Sequence, residues 1–174
     1  FSTMCNSYHI ALRLAEAVKS RLPEVPILLG GPQASVVDVE TLEAFPFVDM
    51  VLRGEAEKTL PMLVADISGG RIPSPIPGLT HRVNGRVVRN PDAPLLDDLD
   101  SLPMPAYHLF PYSMGPVLPI DTGRGCPFSC SFCSTSKFWH GQFRLKSIDR
   151  VIEEIHMLKS THEPTRFAFL HDIF

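Results

Sequence analysis

No apolar stretch in the sequence approaches the ~20 residues that a membrane-spanning helix needs. A basic excess is missing as well: 16 Lys and Arg stand against 19 Asp and Glu, a formal net charge of −3. The first absence disfavours a helical membrane anchor within these residues. The second disfavours a general nucleic-acid-coating role, which depends on neutralising phosphates, and leaves no strong nucleic-acid signal. No internal repeat appears, and cysteine is scarce, with four in 174 residues. Three of those four lie within eight residues, an odd-numbered cluster that does not suit a disulfide framework. The chain begins at Phe1 without a Met and stops at Phe174 directly after an apolar run, so it reads as a segment of something longer. What is present is otherwise ordinary: 44% hydrophobic and 20% charged residues can support a folded core. A chain of 174 residues falls within the ~100–200 of a domain.

The first block, residues 1–70, alternates helical and strand patterns. Ala11, Leu14, Ala15, Val18 and Leu22 recur at spacings of three and four, which predicts an amphipathic helix over 10–22 with Asn6 or Ser7 as N-cap. Pro23 and Pro26 end it. Val25–Leu29 then reads as a buried strand closing in Gly30-Gly31-Pro32. The unit repeats with a short helix near Val39–Phe45, a strand Val48–Leu52, the turn Gly54-Glu55-Ala56-Glu57 and a helix presenting Leu60, Leu63, Val64 and Ile67. This order is the grammar of an open parallel α/β sheet, whose ligands bind at the carboxyl ends of the strands, where both glycine turns fall.

Residues 71–116 read as a proline-rich linker. Ten of the 17 prolines lie between Pro73 and Pro119, which rules out a long helix there. Within it, Leu79–Val83 and Arg86–Arg89 flank Asn84-Gly85, the dipeptide that best supplies positive φ, so a hairpin is expected. Asp97-Asp98-Leu99-Asp100 reads as a solvated turn or helix start.

The third block, residues 117–174, predicts a strand Val117–Asp121, a loop Thr122–Cys133, a helix capped by Ser147, and a strand Arg166–Leu170. Ile148, Val151, Ile152, Ile155 and Leu158 share the expected apolar face of the helix. In the loop, Cys126, Cys130 and Cys133 are spaced C-x3-C-x2-C, which points to a metal. Structural zinc wants four ligands, and His140, seven residues further on, has no second partner. A ferredoxin cluster wants four thiolates, and the remaining Cys5 is 121 residues away, where it reads as a core or helix-start residue. Three thiolates on four irons leave one iron open, which suits chemistry better than electron relay. A zinc or iron–sulfur staple with a further ligand stays as the non-enzymatic alternative.

The cysteine spacing, with Phe132 directly before the last cysteine, resembles the radical S-adenosylmethionine (SAM) superfamily. Thr122-Gly123-Arg124-Gly125-Cys126-Pro127-Phe128 resembles the subset containing elongator-type, methylthiotransferase and cobalamin-dependent enzymes. The resemblance implies that the third block begins a partial (β/α)6 barrel with its site at the carboxyl ends of the strands. It implies a [4Fe-4S] cluster on Cys126, Cys130 and Cys133, whose free iron chelates SAM. Phe132 would pack by the adenine, and Asp172 would meet the SAM amino group at the end of the second strand, in an acidic motif before an aromatic. His171 departs from the acidic pair of that motif and reads as a surface or supporting residue. Pro127, Phe128, Phe138 and Trp139 are suited to keep water from the cluster, Gly123 and Gly125 to let the loop approach it, and Arg124 to meet a carboxylate or simply a neighbouring strand end.

In the first block, Ser2, Thr3, Gly30, Gly31, Pro32, Gly54 and Glu55 resemble the latter half of a Rossmann-like cobalamin-binding domain, with Ala56 where a glycine is usual. The opening strands of that domain would precede Phe1. The implied activity is reductive cleavage of SAM that starts radical chemistry, with cobalamin-dependent methyl transfer, rearrangement or cyclisation as the outcome. Such an enzyme takes electrons from an external flavodoxin- or ferredoxin-type donor and acts on a small-molecule, natural-product or lipid-type substrate. An oxygen-sensitive cluster implies a cytoplasmic setting. A methylthiotransferase-like RNA modifier is the enzymatic alternative, and it would show a second cysteine set and a basic appendage, neither of which is in this segment.

Overall fold

The computed structural model describes residues 1–71, 75–109, 116–162 and 164–173. The chain divides into two compact units, Phe1–Leu95 and Leu96–Phe174. Pro73 and Pro111 of the proline-rich stretch, and the aromatic Phe174, lie outside the described residues.

In the first unit, helix α1 (Tyr8–Arg21) precedes β1 (Leu28–Gly30), α2 (Pro32–Val36), α3 (Asp38–Ala44), β2 (Met50–Leu52), α4 (Thr59–Ser68), β3 (Leu79–Val83) and β4 (Arg86–Arg89). The strands form one sheet in sequence order: β1 and β2 are parallel, and β3 and β4 continue it antiparallel. The expected hairpin is present, with Asn84 at φ 50° and Gly85 at φ 78° supplying the turn. It does not stand apart in a linker, because Leu79, Thr80 and His81 pair with Leu52, Val51 and Met50 and so extend the sheet.

The buried face of α1 differs from the expected stripe. Ala11, Leu12 and Ala15 are buried, whereas Leu14 is 52% exposed and Leu22 lies beyond the last turn. Tyr8, Leu12, Ala15 and Val18 meet Ile27, Leu29, Leu42, Val48 and Val51. Taking 100° per residue, Leu14 points about 100° away from the centre of that face. Ser7 stands at the N-cap, but its hydroxyl bonds to Met4 instead of to the helix. Helix α4 likewise buries Thr59 and Leu63, with Ile67 packed beside them, and leaves Leu60 and Val64 exposed. Pro61 is tolerated in α4 because it falls in the first turn, where the N–H has no helical partner. Each fully buried leucine or valine of this core contributes roughly 1.5–3 kcal/mol.

The second unit begins with a 3₁₀ turn (Tyr107–Leu109), followed by β5 (Val117–Asp121), β6 (Gly123–Gly125), α5 (Thr135–Phe138), β7 (Phe143–Leu145), α6 (Ile148–His162) and β8 (Arg166–Leu170). Strands β5 and β8 are parallel and in register from Val117 with Arg166 to Asp121 with Leu170. Both match their sequence expectations residue for residue. Leu118 and Ile120 of β5 pack on Leu158 of α6, with Tyr107, Val151, Ile155 and Phe167 around them. Ser147 caps α6 as expected, its Oγ accepting the Arg150 N–H at 3.1 Å. The acidic stretch supports that start: Asp100 accepts the Ser147 N–H at 2.9 Å, and bonds from Ser147 hold its carboxyl below the usual carboxylate range.

The expected apolar face of α6 is only partly used. Ile148 is 78% exposed and Ile152 is exposed too, while Glu154 is fully buried. Lys146, itself almost wholly buried, meets Glu154 Oε2 at 3.0 Å. A buried acid opposed by a cation eight residues earlier leaves no trace in hydrophobic periodicity. The architecture is thus mixed α/β, with a parallel strand pair in each unit.

Candidate functional site

In the second unit, β6 pairs antiparallel with β7, Gly123 opposite Leu145, Arg124 opposite Arg144 and Gly125 opposite Phe143. All three clustered cysteines hang from the loop that this ladder closes. The close approach requires glycine at Gly125, which sits at φ +90° and where a Cβ would lie 1.9 Å from the Gln142 carbonyl oxygen. The Gly125 N–H donates to Asp172 Oδ2 at 2.8 Å, so the turn after β8 is tied to the residue preceding Cys126.

The three thiols are free; Cys126 and Cys133 are half-buried and Cys130 is exposed. The Cys133 N–H donates to the Cys130 carbonyl at 3.1 Å, a tight turn that keeps the two residues together. Hydrogen bonds from the Thr135 hydroxyl and N–H, helped by the Ser136 N–H, hold the Cys133 thiol below its ordinary pKa against burial and the nearby Asp172 charge. Among the described residues, no three Cys, His, Asp or Glu side chains gather closely enough to hold a metal ion in the chain alone. The donor chemistry nonetheless fits a cluster, with three unbridged thiols on one loop and one of them biased toward thiolate.

Phe132 is 91% exposed and Phe128 59%, so neither ring is covered by this chain, and Pro127 is exposed as well. Phe138 and Trp139 are half-buried and meet edge to face at 4.7 Å. The Arg144 guanidinium lies 5.3 Å over the Trp139 ring, and its Nη1 donates to the Leu96 carbonyl at 2.6 Å. An open concavity of about 420 Å³ lies at the carboxyl ends of β5 and β8, walled by Asp121, Arg124, Trp139, Phe169, His171 and Asp172. Arg124 meets the carboxylate of Asp121, the end residue of β5, at 3.5 Å. His171 packs edge-on against Phe143 at 5.0 Å.

The carboxyl ends of β1 and β2 in the first unit carry a separate groove of about 270 Å³. Ser2, Gly30, Gly31 and Gly54 line it, together with apolar Leu28, Leu52, Ala56 and Leu60. Thr3, Pro32 and Glu55 are not on its wall. Thr3 is fully buried, its hydroxyl donating to the Gly30 carbonyl at 2.9 Å and accepting the Ala34 N–H at 3.0 Å. A Cβ on Gly31, at φ +90°, would lie 2.6 Å from the Thr3 carbonyl oxygen, so only glycine lets the two segments meet. Pro32 is exposed and begins α2 at its N1 position.

No family model matches the chain. It is 36% identical over 169 residues to an uncharacterized methyltransferase of Pyrococcus horikoshii, covering 94% of this chain and 37% of that protein. It is 30% identical over 156 residues to the cobalamin-dependent radical SAM methyltransferase TokK of Streptomyces tokunonensis, covering 83% of this chain and 23% of the relative. The solved cobalamin-dependent S-adenosylmethionine radical enzyme OxsB shares the fold at a TM-score of 0.78 and 17% identity, over 99% of this chain and 25% of its own. These likenesses are to methyltransferases, among them a cobalamin-dependent radical SAM enzyme, and to the fold of another such enzyme. The chain spans little more than a third, or less, of the lengths of the relatives it matches.

Two supports of these candidate sites were not foreseen. The β6–β7 ladder that closes the cysteine loop has strands of three residues, Gly-Arg-Gly and Phe-Arg-Leu, too short for any period to register. Behind the Gly54 turn, buried Arg53 donates to Asp38 at 3.3 Å, to Asp92 at 2.8 Å and to the Asn90 carbonyl at 2.6 Å, and also meets Thr80. Its partners lie 15 to 39 residues away, and nothing local marks Arg53 among the chain's other arginines.

Proposed function

We propose that the whole protein is a radical SAM enzyme whose cofactors are a [4Fe-4S] cluster, SAM and cobalamin. In this reading the second unit is the first part of a partial (β/α)6 barrel and the first unit is the latter part of a Rossmann-like cobalamin-binding sheet. The observation that carries the reading is the loop bearing three free thiols, clamped by the β6–β7 ladder and tied through Gly125 to Asp172 at the carboxyl ends of β5 and β8.

Cys126, Cys130 and Cys133 would hold the cluster. When bound and reduced, it supplies the electron for one-electron cleavage of SAM into methionine and a 5′-deoxyadenosyl radical. The chain's own residues orient and shield. Thr135 and Ser136 favour the thiolate of Cys133, the form that ligates iron. Gly125 and Asp172 keep the loop mouth at the strand ends, where an exposed carboxylate oxygen can accept from the amino group of SAM. Phe132, exposed, offers a free aromatic face for the adenine. In the first unit, the backbones of Gly30, Gly31 and Gly54 with the hydroxyl of Ser2 line a groove for the nucleotide tail of cobalamin, and Thr3 braces Gly30 and Ala34.

The reaction is proposed to be methyl transfer, rearrangement or cyclisation on a small molecule of natural-product or lipid type, with electrons from a flavodoxin- or ferredoxin-type donor. Among the described residues no helix is long and apolar enough to cross a membrane, and a cluster of this kind suits the reducing cytoplasm. Anaerobic reconstitution of the full-length protein with iron and sulfide tests the proposal. The electron paramagnetic resonance spectrum of the reduced cluster should shift on adding SAM, and Cys130→Ala should abolish the signal. A spectrum indifferent to SAM refutes the reading.

A further inference from the structure

The two glycine turns that line the groove of the first unit come from different strand ends, and one side chain joins them. Ser35, in α2, donates its Oγ–H to the Gly31 carbonyl at 2.8 Å and accepts the Gly54 N–H at 3.1 Å. A hydroxyl has one proton to give and lone pairs to receive, so both bonds form at once. Gly31 and Gly54 line the groove, but Ser35 does not. At Gly54, φ is +71° and nothing lies within 4 Å of where a Cβ would be, so no packed neighbour on that side holds the turn. Helix α2, by contrast, is anchored from behind, with Ala34 fully buried and its N–H on the Thr3 hydroxyl.

The geometry points to Ser35 as a positioning residue that transmits the fixed placement of α2 to the Gly54 turn and so sets the width of the groove. The inference deepens the proposed function and rests on it for the ligand, the nucleotide tail of cobalamin. A groove that binds through close backbone approach tolerates displacements of only about 0.5 Å in the groups that line it. Losing the bridge frees the Gly54 amide and relaxes the spacing between the two turns without removing any group that touches the ligand.

The test uses the full-length protein and hydroxocobalamin, with binding followed by absorbance and the Gly54 amide by hydrogen exchange in the ligand-free state. Ser35→Ala should bind hydroxocobalamin roughly three- to tenfold more weakly, the effect of one or two lost hydrogen bonds, and should exchange the Gly54 amide faster. Ser35→Thr keeps the hydroxyl and should restore both. Unchanged affinity in Ser35→Ala, even with a lowered melting temperature, overturns the inference, as does failure of Ser35→Thr to restore binding. Should Ser35→Ala not fold, the wild-type exchange rate decides: a Gly54 amide as fast as an unprotected one overturns the bridge. If the wild-type protein itself does not bind hydroxocobalamin, the cobalamin reading falls, while faster Gly54 exchange in Ser35→Ala still supports the bridge.

Discussion

Replacing Gly125 with alanine adds a single methyl group at the mouth of the cysteine loop. The left-handed backbone at φ +90° disfavours any residue with a Cβ, by about 1–2 kcal/mol. The added carbon would also stand 1.9 Å from the Gln142 carbonyl oxygen and 3.2 Å from Trp139 Cβ. The closest of these atoms belongs to backbone, so no side-chain rotation relieves the clash, and β6 must part from β7. Parting them breaks the bond from the Gly125 N–H to the Asp172 carboxylate, worth about 1.5–3 kcal/mol for a charged acceptor. The combined local loss is about 2.5–5 kcal/mol. Gly141 in the same loop is the control, with a similar φ of +69° but open space around its missing Cβ, so Gly141→Ala should lose only the conformational ~1–2 kcal/mol. In the full-length protein, Gly125→Ala should expose the β6–β7 amides to exchange and sharply lower iron uptake on reconstitution. Gly141→Ala should do neither to a comparable degree. Equal behaviour of the two variants, or a Gly125→Ala protein with a protected ladder and wild-type iron content, refutes the reasoning.

Three further outcomes are expected. The pH midpoint for alkylation of Cys133 in the metal-free protein should rise in Thr135→Ala, which removes the largest stabiliser of the thiolate, and fall in Asp172→Asn, which removes a repelling charge; mass-resolved iodoacetamide labelling reads both. Lys146→Met strands the buried Glu154 carboxylate and should destabilise the second unit by about 3–5 kcal/mol, whereas the double variant Lys146→Met with Glu154→Leu should recover most of it, as denaturant titration will show. Burial lowers the pKa of His81 below its ordinary 6.5. The unfolded chain therefore binds the proton first as pH falls, and stability of the first unit should be full above about pH 6.5 and decline below it, with a slope of at most ~1.4 kcal/mol per pH unit. His81→Phe should flatten that slope in melts taken between pH 7 and pH 5.

Elements whose conformation follows from their own residues were legible in the sequence. β5 and β8 are short apolar runs bounded by turn residues, and the Asn84-Gly85 turn follows from the ease with which those two residues adopt positive φ. Helix positions were readable but helix faces were not. Apolar residues cover more than one side of α1 and α6, and periodicity alone did not select Leu12 over Leu14, or reveal that Glu154 is buried while Ile148 is not. The hairpin itself was foreseen, yet its attachment was not, because the edge of β2 that receives Leu79–His81 is defined only once β1 and β2 have paired.

The candidate sites divide along the same line. The sequence by itself determined the donor chemistry, three thiols on one short loop, and the glycines that allow tight turns, because spacing and φ preference are properties of neighbouring residues. Tertiary structure decided what those groups meet: Asp172 returning to the Gly125 amide across 47 residues, Ser35 joining Gly31 to Gly54, and Lys146 opposing Glu154 inside the core. Such contacts depend on where the backbone passes a second time, and a hydrogen bond formed within 3 Å or so carries no memory in sequence of the many residues that separate its ends.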